Sequence, residues 1–303
     1  MYFDELALSD EVLDALWDMH FDTCTPVQEQ TIPVILDGHD VISCAQTGTG
    51  KTAAYILPLL TNLQYDNHDP NKLNAIIMAP TRELAQQIDQ QMEGFGFYVP
   101  FSSVAIYGGN DSGAWGTQVT GLQKGADIVI ATPGRLLSQM NIYDIDFSGV
   151  KYFILDEADR MLSIGFYPDM KEIQRYLPKH PLLATLFSAT YPQHVLNLAG
   201  EFLRDPQMLS LSQGQVHVAA IQHLFVECGR MDKDRTLVRL METENPTSAI
   251  IFCNTKSNVH YVTAVLKGFG YNADELSADL FNILLYNVHS DASAGILRYI
   301  FVC

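Results

Sequence analysis

Basic residues are scarce in this 303-residue chain: 18 Lys and Arg stand against 35 Asp and Glu, for a formal net charge of −17. A surface of that sign repels phosphate backbones at a distance, so any nucleic acid must be held by local contacts rather than by a broad field. Long apolar runs are missing as well, and none approaches the roughly eighteen residues that a membrane-crossing helix needs. The N-terminus, Met1-Tyr2-Phe3-Asp4-Glu5, is acidic where a secretory signal is basic, which predicts a cytoplasmic protein with no membrane partner. Cysteine is sparse and scattered: Cys24, Cys44, Cys228, Cys253 and Cys303 form no C-x-x-C pair. Such a set fits free thiols in a reducing compartment better than a disulfide framework, and it predicts no metal held by protein ligands alone. What remains is a chain that is 48% hydrophobic, globular in composition and long enough for two domains.

The stretch that organises the chain is Ala45-Gln46-Thr47-Gly48-Thr49-Gly50-Lys51-Thr52, between the apolar run Val41-Ile42-Ser43-Cys44 and the helix-like Ala53-Ala54-Tyr55-Ile56-Leu57. Strand, glycine-rich loop and helix follow one another. Glycines let backbone N–H groups converge on one anion, the helix N-terminus adds partial positive charge, and Lys51 adds a full one. Such a nest suits polyphosphate, and the Thr52 hydroxyl is placed for a Mg²⁺ ion bridging the phosphates. Ala45 stands where the general phosphate-loop signature has Gly, so Gly50, Lys51 and Thr52 are its literal matches.

Upstream, Leu6, Leu8, Val12, Leu13 and Leu16 fall at helical spacing, and Thr25-Pro26-Val27-Gln28 restarts a helix running through Ile35. A side-chain amide such as that of Gln28 is a solvated surface group or, having both donor and acceptor, a reader of adenine. Downstream, apolar strand-like segments alternate with helices and end in polar groups: Asn74 to Ala79 at Pro80-Thr81-Arg82-Glu83, Ser102 to Tyr107 at Gly108-Gly109, and Asp127 to Ala131 at Thr132-Pro133-Gly134-Arg135. Lys151 to Leu155 ends at Asp156-Glu157-Ala158-Asp159, and Leu183 to Phe187 at Ser188-Ala189-Thr190. The alternation predicts an α/β fold, a parallel sheet with helices on both faces, with ligands beyond the carboxyl ends of its strands. Asp156 is placed to hold a Mg²⁺ shell and Glu157 to orient water; the plain alternative is acidic residues favoured in a helix's first turn. The chain between Lys51 and Asp156 leaves room for crossovers that return the acidic strand beside the phosphate-loop strand. Arg82 and Arg135, with the Thr81 and Thr132 hydroxyls and the Gly108 and Gly109 amides, suit a nucleic-acid backbone with little base preference.

Taken together, these motifs resemble those of the DEAD-box ATP-dependent RNA helicases throughout residues 1–207, including Arg160-Met161-Leu162 and Gly165-Phe166 after the acidic tetrapeptide. The resemblance implies a RecA-like ATP-binding domain over 1–207, a Ser/Gln-rich linker over 208–216 and part of a second RecA-like domain over 217–303. It implies adenine recognition by Gln28 and stacking by Phe3. ATP and Mg²⁺ fall to Gly48, Thr49, Gly50, Lys51, Thr52 and Asp156, with Thr52 and Asp156 on the metal. Lys51, Asp156 and Glu157 are the implied catalytic residues, and Asp159, Ser188 and Thr190 couple hydrolysis to unwinding. The implied partner is RNA, bound without sequence preference through Thr81, Arg82, Gly108, Gly109, Thr132 and Arg135.

The second part resembles the family at Ala249 to Thr255 and Gly270 to Leu280, then departs from it: Phe281 to Ser293 carry one charged residue, Asp291, where the family has a charged amphipathic helix. Ala294 to Val302 regain the look of a strand. The family's arginine finger and second-domain RNA contacts lie in motifs that would follow Cys303. The resemblance therefore predicts a chain truncated within the second domain that binds nucleotide but turns it over slowly, since an arginine finger is worth about 10³ to 10⁵ in rate. The alternatives are a non-catalytic ATP- or RNA-binding module, a defective gene product, and a helicase acting on DNA.

Overall fold

A computed structural model describes residues 1–46, 48–65, 69, 72–108, 121, 125–143, 145–179, 182–210, 224–229, 232–253, 255–278, 281–287 and 299–302, with side chains as far as Glu275. Two compact units divide the chain, Met1–Val218 and Ala219–Cys303.

The first unit is built on β1 (Val41–Cys44), β2 (Ala75–Met78), β3 (Ser103–Ile106), β4 (Ile128–Ala131), β5 (Tyr152–Leu155), β6 (Leu183–Ser188) and β7 (Gln207–Ser210). They form one sheet in the order β3-β4-β2-β5-β6-β1-β7, and every pairing is parallel. Burial on both faces explains why β1, β2, β4 and β5 are so short and so largely apolar: each is covered along its whole length. Alternate residues feed two cores. Val41, Ile77, Ile130 and Ile154 pack with α1 (Asp10–Asp18), α2 (Pro26–Leu36), α3 (Lys51–Tyr65) and α4 (Arg82–Phe95). Ile42, Ile76, Val129 and Phe153 pack with α5 (Pro133–Ile142), α6 (Ala158–Ile164), α7 (Tyr167–Tyr176) and α8 (Gln193–Phe202). Helices on both faces of a parallel sheet are the RecA-like arrangement expected from the alternating sequence.

Two expectations change. The acidic strand does not return beside the phosphate-loop strand, because β6 lies between β5 and β1. At about 4.8 Å per strand this separates the two ends by roughly 10 Å, enough for phosphate and metal between them. Met208 to Ser210, assigned to the linker, continue β7 in register with Ile42 to Cys44. An edge strand with one open face needs no apolar alternation, so its Ser/Gln composition hid it.

The second unit has α9 (Lys233–Glu244), β8 (Ser248–Phe252), α10 (Lys256–Gly268), β9 (Ala273–Ala278), β10 (Phe281–Asn287) and β11 (Tyr299–Val302). Its sheet runs β11-β8-β10-β9, with β11 parallel to β8 and β10 antiparallel to both of its neighbours. Thus the first half of the departing stretch is a strand rather than a charged helix. Its core gathers Leu237, Val238 and Met241 of α9 with Ile251 of β8 and Val259 and Leu266 of α10.

Candidate nucleotide and RNA site

Because all seven strands run the same way, their carboxyl ends share one edge, and that edge is divided. Beyond β1, β6 and β5 lie the phosphate loop, Ser188 to Thr190 and Asp156 to Asp159; beyond β2, β3 and β4 lie Thr81 and Arg82, Gly108, and Thr132 and Arg135. Gly109 lies outside the described residues, as does Thr47.

At the phosphate loop, Gly48 (φ 83°) and Gly50 (φ 89°) occupy the left-handed region that glycine enters without strain. A methyl group at Gly50 would also collide with Gln28 Nε2, whereas one at Gly48 would meet nothing within 4 Å. The Thr49 hydroxyl closes the turn onto the Gln46 carbonyl at 2.7 Å. Lys51 opens α3 with its side chain drawn inside, 6% exposed, and its Nζ has no hydrogen-bond partner among the described residues. An orphaned buried ammonium is costly unless an anion completes it, so this atom marks where negative charge belongs.

Asp156 faces that charge. It is 2% exposed, and burial raises its pKa from the usual carboxylate value, opposed first by the Lys51 charge and then by the Tyr55 hydroxyl. Its Oδ2 accepts from the Tyr55 hydroxyl at 2.9 Å and its Oδ1 from the Glu157 N–H at 2.9 Å, leaving each oxygen a further lone pair. Glu157 turns the chain from β5 into α6 in a left-handed conformation, φ 49° and ψ 52°. That is rare for a non-glycine residue, and such strain is typical of working sites. Its carboxylate pairs with Arg160, Nη1 to Oε2 at 3.2 Å. One buried carboxylate and a neighbouring hydroxyl at Thr52 suit Mg²⁺, which prefers one or two carboxylates together with phosphate oxygens, while the ammonium suits the phosphate itself.

Asp159 and Thr190, distant in sequence, meet: the Thr190 hydroxyl donates to Asp159 Oδ2 at 3.0 Å, while the Ser188 hydroxyl donates to the Thr190 carbonyl at 2.8 Å. Across the edge, Arg82 lies over the Tyr107 ring, 5.2 Å from its centroid. The Thr81 hydroxyl accepts from the Leu84 N–H at 3.2 Å, capping α4 while its own proton stays available. Gly108 is exposed, Arg135 is half-buried, and Thr132 is buried at the start of α5.

Both residues expected at adenine are buried. Gln28 is buried, with its Oε1 accepting from the Thr25 N–H at 2.9 Å and its Nε2 donating to the Gly50 carbonyl at 3.1 Å. It ties α2 to the phosphate loop. Phe3 packs with Leu6, Val12 and Leu16 in the core and is 3% exposed, so in this conformation its ring is not offered for stacking.

The sequence pattern of the family described as DEAD/DEAH box helicase matches residues 25–198, more than half of the chain. The chain belongs to that family. Among relatives, it is 38% identical over 279 residues to a protein from Bacillus cereus named DEAD-box ATP-dependent RNA helicase CshA, covering 92% of this chain and 52% of that one. It is 37% identical over 279 residues to the Bacillus subtilis protein of that name, covering 92% and 55%. The chain thus spans about half the length of the curated relatives it matches. A crystal structure of a DEAD box protein from the hyperthermophile Methanococcus jannaschii superimposes with a TM-score of 0.64 at 31% identity, covering 100% of this chain and 80% of that one.

Within this DEAD-box chain, sequence reasoning passed over Tyr55 and the Arg160 partner of Glu157. For Tyr55 the signal was present: it lies four residues after Lys51, on the same face of α3. Among the described residues, no helix is long and apolar enough to cross a membrane.

Proposed function

We propose that these residues form the ATP-binding and RNA-contacting part of an ATP-dependent RNA helicase, acting on duplexes without sequence preference. The observation that carries the reading is the buried Lys51 ammonium, unpartnered among the described residues and facing Asp156 beyond the sheet's carboxyl edge. The amides of Gly48, Thr49 and Gly50 and the Lys51 ammonium hold the phosphates. Thr52 and Asp156 would hold Mg²⁺, which would supply positive charge to offset that of the phosphate oxygens. Glu157 orients the attacking water once its carboxylate is released from Arg160. Gln28 keeps one N–H and one lone pair beyond its bonds to Gly50 and Thr25, enough to meet adenine without letting go of the loop. The Asp159 to Thr190 bond, with Ser188 behind it, passes a change at the phosphate site along the edge. Thr81, Arg82, Gly108, Gly109, Thr132 and Arg135 hold the RNA backbone.

Residues 1–207, extended by β7 to Ser210, constitute the ATP-binding domain, followed by a linker and by part of a second domain. The family's arginine finger lies in motifs these 303 residues do not contain, so tested alone they bind nucleotide and hydrolyse it slowly. The test is equilibrium binding of a fluorescent ADP analogue with Mg²⁺, alongside competition between RNA and DNA strands. The reading predicts nucleotide binding that Lys51→Ala abolishes and a preference for RNA. A wild-type chain that ignores nucleotide, or a Lys51→Ala chain that binds it equally well, would overturn it.

A further inference from the structure

We propose that Tyr55 is a positioning residue for Asp156: its hydroxyl fixes the carboxylate that faces the phosphate-binding ammonium. This rests on the nucleotide reading above and adds a residue to it. Tyr55 is 0% exposed, and its hydroxyl reaches Asp156 Oδ2 at 2.9 Å. Its ring lies against Phe187, with centroids 5.1 Å apart and planes at 58°, immediately before Ser188 at the end of β6. Tyr55 lies one turn beyond Lys51 and three residues beyond Thr52, so a single face of α3 presents the ammonium, the small hydroxyl and the phenol. One side chain therefore links the helix that follows β1 to the ends of β6 and β5, the three strands around the phosphate site.

The chemistry gives the hydroxyl a task that a plain aromatic ring could not perform. Asp156 is 2% exposed at the end of β5, with Lys51 across β6. The bond from the Tyr55 hydroxyl to Oδ2 is directional, so it fixes the plane of the carboxylate, which a phenyl ring in the same place would leave free to turn. With Tyr55 on Oδ2 and the Glu157 N–H on Oδ1, both oxygens are anchored on one side and keep a lone pair each for a hydrated cation. Groups that orient a metal-binding carboxylate in this way typically affect metal affinity by about ten- to a hundredfold.

The test is Tyr55→Phe in the 303-residue chain, which keeps the ring against Phe187 and deletes only the hydroxyl. A fluorescent ADP analogue is titrated without Mg²⁺ and over a Mg²⁺ series, for wild type, Tyr55→Phe, Asp156→Asn and the double variant. The expected result is unchanged binding without Mg²⁺ and a Mg²⁺ half-saturation raised about tenfold or more in Tyr55→Phe. In the Asp156→Asn background, Tyr55→Phe should add nothing. Wild-type Mg²⁺ dependence in Tyr55→Phe, equal weakening in both backgrounds, or loss of the fold in Tyr55→Phe would each overturn the assignment and leave Tyr55 as a core aromatic. If the wild type itself binds no nucleotide, the nucleotide reading fails and this inference falls with it.

Discussion

Replacing Gly50 by Ala tests how the phosphate loop is held. At φ 89° an added Cβ strains the backbone by about 1–2 kcal/mol. The same Cβ would strike Gln28 Nε2, with Thr25 Oγ1 only 3.1 Å away. Displacing the amide breaks its 3.1 Å bond to the Gly50 carbonyl and leaves buried polar groups unmatched, about 1–3 kcal/mol more. The sum is a loss of about 2–5 kcal/mol. Gly48→Ala provides the control, since at φ 83° it carries the strain but meets no neighbour, and should lose only about 1–2 kcal/mol. Urea denaturation followed by far-ultraviolet circular dichroism is a suitable assay, because most of the helices among the described residues belong to Met1–Val218. Gln28→Ala combined with Gly50→Ala should cost less than the two single changes added together, by about 1 kcal/mol, since the trimmed side chain no longer obstructs the methyl. Equal losses for Gly48→Ala and Gly50→Ala, together with strict additivity in the double variant, would refute the reasoning.

Lys51→Ala should remove most of the thermal stabilisation that saturating Mg-nucleotide confers on the wild type, about 2.7 kcal/mol at a hundredfold excess over Kd, and differential scanning fluorimetry measures it directly. Thr190→Val deletes the hydroxyl that reaches Asp159; because Thr190 is exposed, stability should change by less than about 1 kcal/mol and nucleotide affinity should stay at the wild-type value, both readable in the same titrations. Asp89 on α4 has its pKa raised by burial, only partly offset by the Ser103 hydroxyl at 3.3 Å. Its contribution to stability is therefore full below the unfolded carboxylate value of 3.8 and lost as pH rises through the higher folded value. Asp89→Asn, which keeps an acceptor for Ser103, should be more stable than wild type at pH 7, with the advantage vanishing on acidification; denaturation at several pH values checks the sign.

Much of the first unit was legible because a parallel sheet covered on both faces leaves a plain pattern. Ala75 to Met78, Ile128 to Ala131 and Tyr152 to Leu155 are uniformly apolar, and each is followed by polar groups that can only lie at the carboxyl edge. Strand order was not legible, since nothing in residues 41–44 or 152–155 announces that Leu183 to Ser188 will lie between them. Met208 to Ser210 of the edge strand were mistaken for a linker because one-sided burial imposes little pattern. At the site, the motifs singled out Lys51, Asp156, Asp159 and Thr190, but neither the bond that joins Asp159 to Thr190 nor the partners that buried groups choose. Gln28 spends part of its amide on Gly50, Phe3 goes to the core, and Tyr55 looks like one more core aromatic until its hydroxyl is followed to Asp156.

The placement of β6 between β1 and β5 has an electrical consequence. Neighbouring strand ends would let the ammonium and the carboxylate close on each other, and the cup would discharge itself into an internal ion pair. A whole strand's width keeps the opposite poles apart, with Tyr55 bracing one of them. The cup therefore stays polarised, one wall suited to anionic phosphate and the other to a cation.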